Sequence, residues 1–441
     1  MGIFKAYDVR GVYPSDLNEE IAYNIARAFV KFLNCKKVIV GRDMRVSSLS
    51  LHDSVVKGLI EQGADVIDTG LCSSPMMNFA SATIEADGAI MITASHNPKE
   101  YNGFKFFREH AIPLSEVSGL KDIEKLANEK SFEDASKKGS TTKKNIMDDY
   151  VNHVKKFAEE IKGLKIIADS GNGMSGLTVP KVLEGFNIEL IHMYPELDGS
   201  FPNHECNPMK EENTAELQKK VVEEKADVGI SLDGDADRVV FIDENGERIS
   251  SDLITALIAI QFLKKGKQKI LYDLRSSKAV KETIEANKGT AIMCRVGHSF
   301  IKQQLRDEDA IFAGELSGHY YFKDNFYTDS GVIALMVVLN LLSSEKKKLS
   351  EIVKPIKKYF ATGEINMEVK DKDIIIEKVK EKYNDANIFE LDGASVEYKD
   401  WWFNLRKSNT EPVIRLNLEA DTKELMEEKR DEVLDFIKSA E

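Results

Sequence analysis

From Lys36 to about residue 342, short apolar strand-like runs alternate with helical patterns, and this alternation constrains the fold more than any other feature. "KKVIVG" is followed by a helical stretch over Leu51–Glu61, then "ADVID", a second helix and "GAIMI". A second unit starts at "LKIIAD" (Leu164–Asp169) and runs through "IELIHM" and "ADVGISL" to "VVFID". A third has a helix around Asp252–Leu263, then "KILYDL", "TAIMCRV" and "AIFAGEL", and closes on the apolar helix Gly331–Leu342. Strands that alternate with helices predict α/β units built on largely parallel sheets.

After Lys346–Lys348, a solvated basic run, the pattern changes to "EINMEV", a helix, "SVEYK", "WWFNLR", "VIRLNLEA" and a charged C-terminal helix. That reads as a small α+β domain. The 441 residues would allow about three domains at roughly 150 each, but the pattern gives four units. The expected fold class is therefore three consecutive α/β domains with mixed, mostly parallel sheets plus a C-terminal α+β domain, divided at 1–150, 151–250, 251–365 and 366–441. Residues 136–145, "SKKGSTTKKN", read as a linker.

Composition removes several functions. With 74 acidic against 61 basic residues and a net charge of −13, the chain lacks the basic face that a nucleic acid or anionic membrane partner favours. The longest apolar stretch, 331–342, is shorter than the roughly 20 residues of a membrane span. Cys35, Cys72, Cys206 and Cys294 are widely spaced, which suggests neither disulfides nor a thiolate metal site. The start "MGIFKAYDVRG" has no signal-peptide core. The expectation is a cytoplasmic protein, monomer or homodimer, with no nucleic-acid or membrane partner.

In open α/β sheets, ligands bind at the carboxyl ends of strands, and there the polar sequence concentrates. "DGDADR" (Asp233–Arg238) follows "ADVGISL". Three carboxylates at i, i+2 and i+4 in one turn repel one another, and a bound hard cation resolves the conflict. Ligands that are all oxygen point to Mg2+. Asp233, Asp235, Asp237 and Glu244 also match an EF-hand, but Arg238 stands where that loop needs Gly. An aspartyl-phosphate phosphatase would use two of these carboxylates and leave Ser95 without a role.

"GNGMSG" (Gly171–Gly176) matches a dinucleotide loop literally, yet Glu189 lies inside the next strand-like run rather than at its end. A tight strand–helix turn with close backbone packing is the better account. "GELSGH" (Gly314–His319) sets Glu315, Ser317 and His319 at i, i+2 and i+4, pointing alike in an extended loop and able to grip vicinal hydroxyls of a sugar. "RKSNTEPVIR" (Arg406–Arg415) offers guanidinium forks with Ser408, Asn409 and Thr410 in a turn before a strand, the donors a phosphate monoester needs.

"TASHNPKEYNGFKF" (Thr93–Phe106) places Ser95 in a polar loop after the buried run "DGAIMI". A serine hydroxyl is a weak nucleophile and needs help. No G-x-S-x-G elbow is present, and His96, as the adjacent residue, is expected to project away. Lys105 and Arg10 suit anion partners. A serine that carries a phosphoryl group and passes it on fits, because phosphoryl transfer asks mainly for positioning and charge neutralisation.

Taken in order, "FKAYDVRG", "GRDMRVSS", "TASHNPKEYNGFKF", "GNG", "DGDADR", "VGHSFIK", "GELSGH" and "RKSNTEPVIR" resemble the α-D-phosphohexomutases across essentially the whole chain. The resemblance implies four domains around a central cleft, each contributing one loop. It implies that Ser95 is the phosphoserine and that Asp233, Asp235 and Asp237 ligate magnesium. Arg10 and Arg238 would face the phosphoserine, and Lys105 and His298 would be general acid/base groups. Glu315, Ser317 and His319 would hold sugar hydroxyls. Arg406, Ser408, Asn409 and Thr410 would hold the phosphate that is not being transferred.

The implied reaction moves a phosphoryl group between the 1 and 6 positions of a hexose phosphate through a hexose 1,6-bisphosphate, which would also activate the enzyme. Val296, Lys407 and Arg275 depart from the commonest pattern without removing a needed charge. Leu316 favours mannose or glucose phosphate, and Gln there would have pointed to glucosamine phosphate. Phosphoglucosamine mutase is the alternative, with a magnesium-dependent sugar phosphatase behind it.

Overall fold

The computed structural model describes residues 2–408 and 413–440, apart from the side chain of Lys162. Its first sheet runs in the order Val9–Val12, Tyr101–Arg108, Gly88–Ile92, Lys37–Arg42, Asp65–Leu71, Thr141–Lys143. The inner strands pair in parallel, while Tyr101–Arg108 runs antiparallel to both of its neighbours. Strand alternation divides the core. Val38, Val40, Ile90 and Ile92 pack one way, under Glu19–Leu33 and Ser48–Glu61, and Ile39, Ala89 and Met91 face the other way, towards Ser74–Thr83.

The supposed linker contains structure. Thr141–Lys143 adds a parallel edge strand to Asp65–Leu71, because an exposed strand edge offers unpaired backbone groups even to a polar, charged segment.

The second sheet, in the order Arg248–Ile249, Val239–Ile242, Val228–Leu232, Lys162–Asp169, Asn187–Met193, has a parallel half and an antiparallel half. The third repeats that plan, with Thr290–Cys294, Lys269–Asp273 and Phe312–Gly314 parallel and Tyr320–Phe322 and Thr328–Asp329 antiparallel. The sheets are thus mixed, as expected, with antiparallel strands extending each parallel core.

Helix Gly331–Glu345 explains the longest apolar run. Residues 331–342 are buried on every side, which makes this a central core helix rather than an amphipathic surface one. Its polar Asn340 accepts from the Glu159 amide (2.8 Å) and donates to the Phe157 carbonyl (2.8 Å). One hydrophobic cluster runs without a break from Ile39 to Ile356 through all three α/β units.

The C-terminal unit stands apart. Its five strands are all antiparallel, in the order Phe360–Met367, Ile414–Ala420, Trp401–Lys407, Ala394–Glu397, Asn387–Phe389, with helices Lys372–Lys382 and Lys423–Ser439 against them. It has its own core around Val396, Phe403, Leu405 and Leu416. All four cysteines are free and buried. Among the described residues no helix is long and apolar enough to cross a membrane.

Candidate active site

A cleft of about 1320 Å3 is lined by residues on the strands and loops of all four sheets: Ser95, His96 and Lys105; Asp237 and Arg238; Glu315, Ser317 and His319; Glu364, Arg406 and Arg415. Strand Gly88–Ile92 delivers the first loop, and the chain turns sharply at Ser95, whose φ is 52°. The Ser95 amide donates to Thr93 Oγ1 (2.9 Å), and its hydroxyl donates to Asp233 Oδ2 (2.9 Å). The left-handed turn also corrects the expectation for His96. Instead of projecting away, its Nδ1 lies 3.1 Å from Ser95 Oγ, because a positive φ rotates the following residue back over the hydroxyl.

Asp233, Asp235 and Asp237 follow strand Val228–Leu232 and are buried, and one oxygen of each lies within 4.8 Å of the others. Burial pushes the Asp233 carboxyl well up, and Asp237 and Asp235 add to this. Lys105 Nζ offsets part of that charge, at 2.7 Å from Asp235 and 2.6 Å from Asp237. Burial alone would lower the lysine, but the two carboxylates outweigh it and hold Lys105 protonated. Against the same burial, Lys105 and His319 keep Asp237 ionised, well below the usual carboxylate range.

The turn before helix Ser175–Leu183 supports this loop from beneath. A Cβ at Gly173 would come within 3.0 Å of Gly234 Cα, and the Met174 amide donates to Gly234 O (2.9 Å). Close backbone packing is therefore what "GNGMSG" supplies.

The sugar-loop expectation changes in shape. Residues 314–320 form a tight hairpin rather than an extended loop, with the Glu315 amide donating to His319 O and the Gly318 amide to Glu315 O, both at 3.0 Å. Cross-strand pairing brings the two ends onto one face. There His319 bridges Glu315 (3.4 Å) and Asp237 (3.3 Å), and Ser317 Oγ lies 2.8 Å from His319 Nδ1. Burial would lower the imidazole, but Asp237 and Glu315 raise it to about 9.

His298 opens helix His298–Asp307 and lies edge-on to Tyr7, ring centroids 4.4 Å apart. Both of its ring nitrogens are buried without a hydrogen-bond partner. Burial, then Lys302 and Lys105, keep it neutral.

At the far end, Arg406 and Arg415 project from paired strands with Cα atoms in register. Glu364 takes both: Oε2 accepts from Arg406 Nη2 (2.9 Å) and Arg275 Nη1 (3.1 Å), and Oε1 lies 3.1 Å from Arg415 Nη1. Arg275 also pairs with Asp273 (2.6 Å) and Glu315 (3.4 Å), joining the sugar hairpin to the phosphate loop. The Ser408 amide donates to Val413 O (3.0 Å). Asn409 and Thr410 lie outside the described residues. Arg10 bonds Asp8 and Asn97 beside Ser95, and Arg238 Nε lies 3.8 Å from Asp233.

Of the described expected residues, Arg10, Ser95, Lys105, Asp237, Arg238, His298, Glu315, Ser317, His319, Arg406 and Arg415 line the cleft, Asp233 and Asp235 are buried next to Ser95 and Lys105, and Ser408 is not part of the lining. The cleft also contains His96, Tyr7 and Glu364, and buried Ser74 donates to Asp235 behind it. Glu364 sits within the strand-like run "EINMEV", where nothing local marks a carboxylate that three arginines share.

The cleft between three α/β domains and a fourth, antiparallel one thus carries a serine beside an acidic trio and a pair of arginines. Family profiles agree in order. Phosphoglucomutase/phosphomannomutase alpha/beta/alpha domain I matches residues 1–134, domain II 148–246, domain III 250–359 and the C-terminal domain 364–436. The chain belongs to the phosphoglucomutase/phosphomannomutase family, a family of isomerases.

It is 42% identical to a phosphomannomutase of Methanocaldococcus jannaschii over 99% of this chain and 97% of that one. It is 39% identical to a phosphomannomutase of Vibrio cholerae over 99% and 98%. The crystal structure of a phosphoglucomutase/phosphomannomutase family protein from Burkholderia thailandensis superposes with a TM-score of 0.92 at 30% identity, covering 100% of this chain and 97% of that one.

Proposed function

We propose that this mutase moves a phosphoryl group between O1 and O6 of mannose and/or glucose phosphate, through phospho-Ser95 and a hexose 1,6-bisphosphate. The observation that carries the reading is Ser95 Oγ, turned by a left-handed φ onto Asp233 at 2.9 Å. Its hydroxyl lies beside three clustered buried carboxylates, in a cleft that also presents Arg406 and Arg415.

Magnesium fits the trio because its donors are all oxygen and Asp235 Oδ1 is buried without a hydrogen-bond partner. Asp233, Asp235, Asp237 and the Ser95 oxygen would hold it, and when bound it neutralises phosphate charge.

Arg406, Arg415, Ser408, Asn409 and Thr410 grip the phosphate that is not reacting, which turns the reactive hydroxyl towards Ser95. Glu315, Ser317 and His319 fix the ring through its hydroxyls. Arg10 and Arg238 stand beside the transferring group. As the P–O bond to the sugar forms and the P–Oγ bond breaks, the hydroxyl proton needs an acceptor, and neutral His298 with both nitrogens open serves on that side. Lys105, held protonated, serves as the acid that returns a proton to Ser95 Oγ. The bisphosphate then reorients, its other phosphate returns to Ser95, and four units divided near residues 150, 250 and 365 each keep one loop on it.

The deciding experiment is turnover of mannose, glucose and glucosamine 1-phosphates with magnesium and a trace of hexose 1,6-bisphosphate, beside Ser95→Ala. Serine-dependent turnover of the first two is expected. Preference for glucosamine phosphate would move the substrate and keep the mechanism. Free phosphate in place of the 6-phosphate would make the protein a phosphatase.

A further inference from the structure

The segment "GRDMRVSS" has no chemistry in the reaction above, yet it contributes one of the largest fully buried side chains in the protein, Arg45. Its guanidinium lies beneath the loop that carries Ser95. Nη1 donates to the carbonyls of Pro98 (2.8 Å) and Tyr101 (3.1 Å), and Nη2 to those of Ser95 (2.8 Å) and Asn97 (2.6 Å). Four Nη hydrogens thus meet four main-chain oxygens within seven residues.

Asp43 anchors the group from behind. Its Oδ2 lies 3.3 Å from Arg45 Nε, and its Oδ1 accepts from the Arg45 amide (3.0 Å) and from Ser48 Oγ. The second domain covers it in front, where the Phe201 ring lies 5.1 Å from the guanidinium carbon and Cys206 Sγ 3.7 Å from Nη2. Cys206 Sγ also reaches Ser95 O (3.6 Å).

This arrangement solves two problems together. A polar loop with no apolar side chains to hold it needs its carbonyls paired, since buried unpaired carbonyls are costly. Four carbonyl oxygens are also poor company for a phosphate dianion, and gathering them on one cation fixes them away from the seryl oxygen. A planar fork with five donors can serve all four oxygens where an ammonium with three cannot. The contacts from Phe201 and Cys206 set the loop relative to the metal-binding turn of the next domain.

We propose that Arg45 is a positioning residue for phosphoryl transfer, holding residues 95–101 so that Ser95 keeps its left-handed conformation and presents Oγ to the acidic trio. It rests on Ser95 being the phosphoryl carrier. Misplacing a reacting group by about 1 Å costs on the order of 100-fold in rate, and a loosened phosphoserine loop also admits water.

The test compares wild type, Arg45→Lys, Phe201→Leu and Ser95→Ala, each primed with glucose 1,6-bisphosphate and magnesium. Three quantities are read: kcat, KM for glucose 1-phosphate, and the share of phospho-Ser95 lost to water rather than to sugar. Arg45→Lys keeps the charge but not the fork. It should lower kcat by on the order of 100-fold, leave KM within about twofold, and raise the water share. Phe201→Leu should move kcat and the water share the same way by less.

Folded Arg45→Lys with wild-type kcat and water share overturns the proposal. So does a fall in kcat that merely tracks lost folded protein while the water share stays constant. If Arg45→Lys fails to fold, Phe201→Leu decides, and wild-type values there overturn it. Wild-type turnover by Ser95→Ala would instead sink the phosphoserine reading. An inactive Ser95→Ala beside an unaffected Arg45→Lys sinks this inference alone.

Discussion

Asp235 shows how a residue's chemistry depends on what the fold places around it. One oxygen receives Lys105 and Ser74, and the other is buried and unpartnered. Asp235→Asn removes the charge and keeps the shape, so the magnesium concentration for half-maximal turnover should rise by at least the roughly 10–100-fold that loss of an outer partner costs a metal site. A magnesium titration checks this, and an unchanged midpoint removes Asp235 from the ligand set.

His204 gives a prediction of a different kind, away from the acidic trio. It pairs with buried Asp169 (3.0 Å), which raises the imidazole against the effect of burial. A folded-state pKa raised above the unfolded value stabilises fully below the unfolded value, near 6.5, and the contribution fades as pH rises through the folded one. The gap in Tm between wild type and His204→Gln should therefore be widest below pH 6 and narrow as pH is raised above 7. A gap that widens with pH reverses the sign and rejects the pairing.

Among the elements, helix Gly331–Glu345 carries much of the core. Leu335 is fully buried, and truncation to Ala leaves a cavity costing roughly 2–5 kcal/mol, measurable by urea unfolding. A loss under 1 kcal/mol would mean that the helix is less enclosed than described. The turn after strand Lys162–Asp169 acts through backbone approach instead. Gly173→Val would press on Gly234 and should raise the magnesium requirement as well as lower stability. The helix was legible from its apolar length, and the turn from its glycines after a strand. The hairpin at 314–320 was not, although Ser317-Gly318, with Gly318 at φ 85°, marks its turn, because the pairing of Glu315 with His319 that closes it leaves no periodic pattern in so short a segment.

At the scale of the molecule, the first three domains share one hydrophobic cluster, while the fourth has its own and meets them through polar contacts such as Arg275 with Glu364 and the Val296 amide with Asp392. A sugar phosphate that touches both sides ties them together. Ligand binding the folded state at 100 times Kd adds about 2.7 kcal/mol, so phosphosugars should raise Tm. Arg406→Ala should abolish that rise for mannose and glucose phosphates alike, if it grips phosphate as proposed. A loss confined to one hexose would place Arg406 on the ring instead.

The sequence by itself determined the α/β order of three domains, the change of pattern near residue 360 and the chemical type of each loop. Those properties reside in period and spacing along the chain, which local sterics and hydrophobic burial dictate. Only the tertiary structure decided that Ser95 meets Asp233 across 138 residues, that His96 folds back beside it, that three arginines share Glu364, and that Arg45 holds four carbonyls of the serine loop. Such contacts join residues far apart in sequence or turn on a single backbone dihedral, and neither leaves a periodic mark for burial or spacing to reveal.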